Sequence, residues 1–149
     1  MNKALWFDMD GTLAELYKVE GWLPMLRAED PTPYIVAEAK VDMTSLVDTL
    51  KTLRADGYTM GVISWLSMGS TKHYDKAVRQ AKREWLSKYI DFTFDSIHLV
   101  KYGTPKHYIG KGILVDDNKA VCEKWLRAGG TIVNAEPDNW LTDLEKLVK

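Results

Sequence analysis

Two carboxylates stand two residues apart near the start of the chain, directly behind an apolar run. Residues 4–7 are all apolar, and the sequence then continues DMDGT through residue 12. One carboxylate in such a pair can act as a nucleophile, while the other gives and takes back a proton. The spacing therefore indicates paired acid chemistry at the end of a buried strand, with Asp8 as the candidate nucleophile and Asp10 as the candidate general acid and base.

Polar residues follow three further apolar runs along the chain. Ser64 ends the second run, a lysine lies beyond the run 97–100, and Asp116 and Asp117 follow the run 112–115. If these runs are parallel strands, their carboxyl ends meet at one edge of a sheet. Carboxylates gathered there repel one another, which predicts a divalent cation, and Mg²⁺ suits oxygen ligands that leave room for a phosphate. With a hydroxyl and a lysine nearby, the set indicates a phosphoryl-transfer site.

Two lysines compete for the third position of this set. Lys101 ends the run itself, whereas Lys106 stands where Thr104 and Pro105 would begin a short helix. Because proline suits the first position of a helix, the Lys106 ammonium could point back at the sheet edge. We favour Lys106, with Lys101 as the alternative.

The elements that must position these residues follow from apolar periodicity. Helices are predicted over 44–56, 72–89, 119–128 and 138–148, and strands over 3–7, 58–63, 97–100, 112–115 and 131–133. Apolar strands that alternate with amphipathic helices are typical of a parallel sheet covered on both faces. The sequence therefore predicts an α/β fold: a three-layer, Rossmann-like domain with a mainly parallel sheet.

The order of the motifs resembles that of the haloacid dehalogenase-like (HAD) superfamily over nearly the whole chain. The resemblance rests on DMDGT, on Ser64, on the lysine, and on the ILVDD stretch at 113–117. It implies that Ser64 binds a phosphoryl oxygen and that the lysine neutralises a phospho-aspartate. Because phosphatase branches carry an acid where this chain has Asp10, the resemblance also implies phosphomonoester hydrolysis.

The resemblance further implies how a metal would be held. Mg²⁺ would bind Asp8, the backbone carbonyl of Asp10 and an acid of the last motif. Asp117 is the expected direct ligand, with Asp116 in support. A more specific similarity, to small bacterial and phage proteins near the deoxyribonucleotidases, rests on the Asp-Asp pair and the short insert after the first motif.

Substrate selection is expected to depend on the segment 13–41, which is too short for a full helical cap. We predict a single domain, 1–149, that is capless or minimally capped, with 13–41 as a small cap or flap over the site. Alternatively, a second copy of the chain covers the site. Thr12 and Trp65 are the candidate substrate contacts beside Ser64 and the lysine, although Trp65 could equally belong to the core.

Composition restricts the classes of partner. The chain has 149 residues and a net charge of −1, so no overall field attracts it to nucleic acid or to an anionic membrane. The basic residues of the helix 72–89 are interpreted most simply as a solvated face, with a nucleic-acid contact as the alternative; they are Lys72, Lys76, Arg79, Lys82 and Arg83. The single cysteine and the weakly apolar N-terminus predict a cytoplasmic protein without a membrane span.

Three functional hypotheses follow from the sequence. The first is a Mg²⁺-dependent phosphatase of small phosphomonoesters, with nucleotides as candidate substrates. The second is a phosphatase of nucleic-acid ends, which the basic helix 72–89 would support. The third is a protein that binds and sequesters a nucleotide-like ligand without turnover.

Overall fold

A computed structural model, which describes residues 2–148, contains a five-stranded parallel sheet. The strands are β1 (Ala4–Phe7), β2 (Thr59–Trp65), β3 (Ser96–Val100), β4 (Ile113–Asp116) and β5 (Thr131–Asn134). Their order is β3-β2-β1-β4-β5, and every neighbouring pair is parallel. The strand order reverses beside the central β1, and in such sheets ligands bind at the carboxyl ends next to this point. The predicted α/β fold is confirmed.

The connections between strands are mostly helical. The helices are α1 (Trp22–Arg27), α2 (Thr32–Val36), α3 (Met43–Ala55), α4 (Lys72–Tyr89), α5 (Lys119–Arg127) and α6 (Leu141–Glu145), with short 3₁₀ helices at Leu16–Lys18 and Lys106–Tyr108. Side chains fix where three of the helices begin, since Asp42, Thr71 and Asn118 each accept a hydrogen bond from an amide of the first turn. Asp42 accepts a hydrogen bond from the Ser45 amide at 2.9 Å, and Asn118 accepts one from Val121 at 3.1 Å.

The predicted bounds of two of these elements are wrong. The closing helix, expected over 138–148, is the shorter α6, which begins at Leu141. The short helix expected with Thr104 as its cap and Pro105 at its first position is present, but the Thr104 hydroxyl donates to the Lys101 carbonyl at 2.7 Å and holds a turn there. The 3₁₀ helix therefore starts one residue later, at Lys106, with Pro105 in the cap position.

Apolar side chains cover both faces of the sheet. On one face, Phe7 and Val62 belong to a large cluster with buried residues of α3, α4 and α6. On the other face, Ile63 and Leu114 pack with Val121 and Trp125, of which the last two belong to α5. This alternation of faces along each strand makes the domain three-layered.

The insert between β1 and α3 is fastened to the body of the domain. The Lys40 ammonium donates to the carbonyls of Gly11 at 2.8 Å and Ala135 at 2.6 Å. The Tyr34 hydroxyl and Ser67 Oγ are 2.5 Å apart, and the Tyr74 hydroxyl donates to the Asp30 carbonyl at 2.9 Å. The insert is therefore held above the carboxyl ends of the strands at several points.

Within residues 2–148, none of the helices combines the length and the apolar composition needed to cross a bilayer.

Candidate active site

Three carboxylates meet at the carboxyl ends of β1 and β4. The Asp8 amide donates to the Val115 carbonyl at 3.0 Å, which extends the ladder between these strands. One carboxylate oxygen from each of Asp8, Asp116 and Asp117 lies within 4.8 Å of the others. Close acids repel one another, so this set of hard oxygen donors suits a divalent cation of the Mg²⁺ type.

Lys106 is the basic residue at this cluster. Its Nζ lies 2.9 Å from Asp8 Oδ1 and 2.7 Å from Asp116 Oδ2, and only 3% of its surface is exposed. Burial by itself would lower the pKa of Lys106, but the charges of Asp8 and Asp116 outweigh it and raise the pKa. Lys101, the alternative, is exposed on the surface. The structure therefore brings Lys106 to the acids.

Asp116 and Asp117 differ in how many protein donors they already have. Asp116 Oδ2 accepts from Lys106, and Asp116 Oδ1 accepts from the Asn118 amide at 2.9 Å. Among residues 2–148, the side-chain donor to Asp117 is the Thr12 hydroxyl, 3.3 Å from Oδ1. Burial and the neighbouring charge of Asp8 raise the pKa of Asp117 above its usual value. Asp117 is thus the less satisfied carboxylate of the pair.

The turn after β1 is shaped around the Asp117 side chain. Gly11 has a φ of +81°, and a Cβ at this position would overlap the Asp117 carboxylate. Thr12 is fully buried, and its hydroxyl donates to Asp8 Oδ2 at 3.1 Å. Glycine is needed here for both its backbone conformation and its lack of a side chain.

A second buried lysine lies on the other side of Asp10. Lys82 is 1% exposed, and its Nζ donates to Asp10 Oδ2 at 2.9 Å, Ser64 Oγ at 2.7 Å and the Trp65 carbonyl at 2.7 Å. The prediction that Lys82 belongs to a solvated face is therefore wrong, because α4 turns this residue toward the sheet. The other four basic residues of that group are exposed, namely Lys72, Lys76, Arg79 and Arg83.

Asp10 lies partly exposed at the edge of the cavity. Burial raises the pKa of Asp10 above its usual value, although the nearby Lys82 charge acts in the opposite direction. A carboxyl group that keeps its proton to higher pH than a solvated aspartate is suited to general acid chemistry.

Ser64 is fully buried, and its hydroxyl accepts the hydrogen bond from Lys82. It is not among the residues that line the cavity, whereas Ser67, three residues later, is. The phosphoryl-binding role of Ser64 stays a prediction.

A cavity of about 470 Å³ opens above the acids, within the usual size range of small-molecule sites. Trp65 and Tyr102 form one wall, with ring centroids 4.9 Å apart, and Trp65 Nε1 is fixed by a 2.8 Å bond to the Thr104 carbonyl. Tyr17 and Trp22 of the insert form another wall, with centroids 5.0 Å apart. The structure thus places Trp65 on the cavity wall and gives the insert residues a share of the lining.

Sequence reasoning missed Lys82 and Ser67 as residues of the site, whereas Tyr17 belongs to the insert 13–41 that was expected to cover it. A signal for Lys82 was present, because Val78, Lys82 and Trp85 share helical spacing on the apolar stripe of α4. A lysine on such a stripe either bonds to acceptors inside the protein or extends its aliphatic stem so that the ammonium reaches solvent.

Comparisons with known proteins give a match for the fold. No family model and no curated protein matches the sequence. Among solved structures, a protein from Mesorhizobium loti described as a HAD-like phosphatase is similar with a TM-score of 0.60 at 15% identity, over 99% of this chain and 86% of that one. The D,D-heptose 1,7-bisphosphate phosphatase of Burkholderia thailandensis gives 0.56 at 13% identity, over 95% and 85%.

These similarities confirm the resemblance at the level of the fold: the chain has the fold of the HAD-like phosphatases. The relation to the deoxyribonucleotidase branch stays a prediction.

Proposed function

We propose that the chain is a Mg²⁺-dependent phosphomonoester hydrolase that forms an aspartyl-phosphate on Asp8. The observation that carries the proposal is the cluster of Asp8, Asp116 and Asp117 oxygens within 4.8 Å, with Lys106 bonded to two of these acids. The cluster lies beside a cavity large enough for a small phosphorylated molecule. The fold similarity to HAD-like phosphatases agrees with this chemistry.

Asp8 and Asp117, with the backbone carbonyl of Asp10, would hold the metal. Asp116 would support them, because both of its oxygens already accept from protein donors. A bound Mg²⁺ would offset the negative charges and draw electron density from the phosphoryl oxygens.

The protein's own groups then account for bond making and breaking. An Asp8 carboxylate oxygen attacks phosphorus, the bond from phosphorus to the leaving oxygen breaks, and Asp10 gives that oxygen a proton. Water next attacks the phosphorus of the aspartyl-phosphate, and Asp10 takes one of its protons. The bond to Asp8 breaks, so inorganic phosphate leaves and both aspartates return to their first state. Lys106 keeps a positive charge beside Asp8 in both steps.

The substrate we propose is a small phosphate ester that carries a flat ring, with nucleotides as the first candidates. The aromatic walls formed by Trp65 with Tyr102 and by Tyr17 with Trp22 support this choice, because such rings can stack on a base. In this proposal the domain is a single unit, and the insert 13–41 acts as its small cap.

A phosphorylated nucleic-acid end is the second candidate. Lys72, Lys76, Arg79 and Arg83 are exposed and recur at spacings of four and three residues, which aligns them along one side of α4. This helix begins shortly after Ser67 and Met68, which line the cavity.

The test is a hydrolysis screen with Mg²⁺ that includes 4-nitrophenyl phosphate, nucleoside monophosphates, sugar phosphates and 3′-phosphorylated oligonucleotides. Asp8→Asn should lower every activity by at least about 10³-fold, because it removes the nucleophile. Asp48→Asn, a change of an exposed aspartate on α3, is the matched control and should leave activity unchanged.

Each other result has a definite meaning. Hydrolysis by the Asp8→Asn protein at the parent rate would exclude Asp8 as nucleophile. Activity restricted to oligonucleotides and steeply weakened by salt would favour the nucleic-acid candidate. Nucleotide binding without hydrolysis across the panel would indicate sequestration instead.

A further inference from the structure

The buried ammonium of Lys82 is fixed by the protein on every side. It has three N–H donors and three acceptors, namely Asp10 Oδ2, Ser64 Oγ and the Trp65 carbonyl. All three distances are between 2.7 and 2.9 Å. Two acceptors belong to the end of β2, so the ammonium is tied to the sheet, and it in turn holds the Asp10 side chain.

This arrangement leaves one Asp10 oxygen available. Among residues 2–148, no protein donor hydrogen-bonds to Asp10 Oδ1, and Asp10 lines the cavity. Lys82 itself is 1% exposed and does not line the cavity, so it cannot touch a substrate bound there. Any influence of Lys82 on the reaction must therefore pass through Asp10 or through the end of β2.

We propose that Lys82 is a positioning residue, which fixes one Asp10 oxygen so that the other faces the leaving oxygen of the substrate. This inference rests on the proposed phosphatase reaction and adds to it a residue outside the motifs that carry the HAD resemblance. A displacement of about 1 Å at a reacting group can lower a rate by about 10²-fold, so loss of this contact should be measurable in turnover.

The experiment compares substrates that do and do not need a proton on the leaving group. An alkyl phosphate, such as a sugar phosphate, has a poor leaving oxygen, whereas 2,4-dinitrophenyl phosphate releases a stable phenolate without protonation. The measured quantity is kcat/KM, because it reports the steps up to the first cleavage of the P–O bond. Lys82→Met removes the ammonium and keeps the unbranched chain, and Lys88→Met changes an exposed lysine of the same helix as a control.

We expect Lys82→Met to lower kcat/KM about 10- to 100-fold for the alkyl phosphate and less than about 3-fold for the dinitrophenyl ester. Lys88→Met should leave both values unchanged. In an Asp10→Asn background, Lys82→Met should cause no further loss for the alkyl phosphate, because the group that it positions is already absent.

Equal losses for the two esters, or no loss in a folded variant, would overturn the positioning role. Thermal unfolding establishes whether Lys82→Met is folded. If it is not, Lys82→Arg serves as the second variant, since it keeps the charge but changes the donor geometry, and it should give a smaller loss with the same leaving-group dependence. If the wild-type protein hydrolyses neither ester, the proposed function itself fails. If it hydrolyses both and Lys82→Met behaves like Lys88→Met, only the inference about Lys82 fails.

Discussion

Two buried lysines flank the end of β1, and they differ in the acids that they hold. Lys106 lies between β3 and β4 and bonds to Asp8 and Asp116, whereas Lys82 approaches from α4 and bonds to Asp10. The Lys82 pair is balanced, with one charge of each sign. Around Lys106, three carboxyl groups share a single ammonium group, so the acids outnumber the bases there.

Under the proposed function, this difference gives the two sides of the site separate tasks. The Lys106 side has three carboxyl groups for one ammonium group, an excess of acid that a divalent cation would offset. On the Lys82 side, the single acid has a lysine partner for one oxygen and lines the cavity, which agrees with the proton transfer proposed for it. In the proposed reaction, the ratio of carboxyl groups to ammonium groups therefore distinguishes the metal-binding side from the proton-transfer side.

The largest expected effect comes from removing the Lys106 ammonium group, which lies beside the cluster of three acids. Lys106→Met leaves Asp8 and Asp116 buried without their partner, and we expect the free energy of unfolding to fall by about 3–5 kcal/mol. Urea denaturation without metal measures this loss. Added Mg²⁺ and the second change Asp116→Asn should each recover part of it, because each reduces the uncompensated charge.

If Lys106→Met were as stable as the wild-type protein, the proposed excess of acid around Lys106 relative to Lys82 would be contradicted.

The second-largest effect is expected at Asp10, the acid that bonds to Lys82. Asp10→Asn should lower kcat for a sugar phosphate by about 10²- to 10⁴-fold, since an amide can neither give nor take the proton. The change also leaves the buried Lys82 ammonium without a negative partner, so the free energy of unfolding should fall as well, although Lys82 keeps Ser64 Oγ and the Trp65 carbonyl as acceptors. Steady-state kinetics and urea denaturation provide the two measurements, and an unchanged kcat would exclude Asp10 as the proton carrier.

Mg²⁺ affinity should depend on pH through Asp117. Burial and the charge of Asp8 raise the pKa of this carboxyl group, so protons compete with the metal over a pH range higher than that of a solvated aspartate. Affinity should therefore increase as the pH rises through the raised pKa, by at most about tenfold per pH unit for one released proton. Isothermal titration calorimetry in two buffers measures affinity and proton release, and Asp117→Asn should weaken binding and remove its proton release.

The smallest effect is expected at an ion pair outside the site. The pKa of Asp95 is lowered, first by the Met60 amide, which donates to it at 2.7 Å, and then by Arg54. A lowered folded-state pKa gives stability above the unfolded pKa and loses it as the pH falls through the folded value. Because Asp95 is about half exposed, with 48% of its side chain accessible, Asp95→Asn should cost only about 0.5 kcal/mol at pH 7.

This difference between Asp95→Asn and the wild-type protein should disappear in acid, which urea denaturation at both pH values measures. If Asp95→Asn lowered the free energy of unfolding as much as Lys106→Met, the expected contrast between buried and exposed ion pairs would be contradicted.

Much of the fold could be predicted from the sequence, because it depends on local patterns. Apolar runs such as 4–7 and 112–115 are typical of buried strands, and polar residues directly after them collect at one edge once the strands are parallel. Helix α4 was likewise evident from its spacing. The closing helix was overestimated, since apolar periodicity over 138–148 does not show where the chain leaves the helical conformation.

For the site, the sequence by itself determined which acids follow β1 and β4, and it favoured Lys106 on the basis of the helix-start signal. Only the tertiary structure decided that Lys106 reaches two acids, that Lys82 is buried against Asp10, and that the insert contributes a wall of the cavity. The physical reason is distance along the chain: Lys82 and Asp10 are 72 residues apart, and no local pattern encodes that contact. Lysine occupies a buried position only where the folded chain supplies acceptors for its charge, and those acceptors are brought together by the packing of α4 on the sheet.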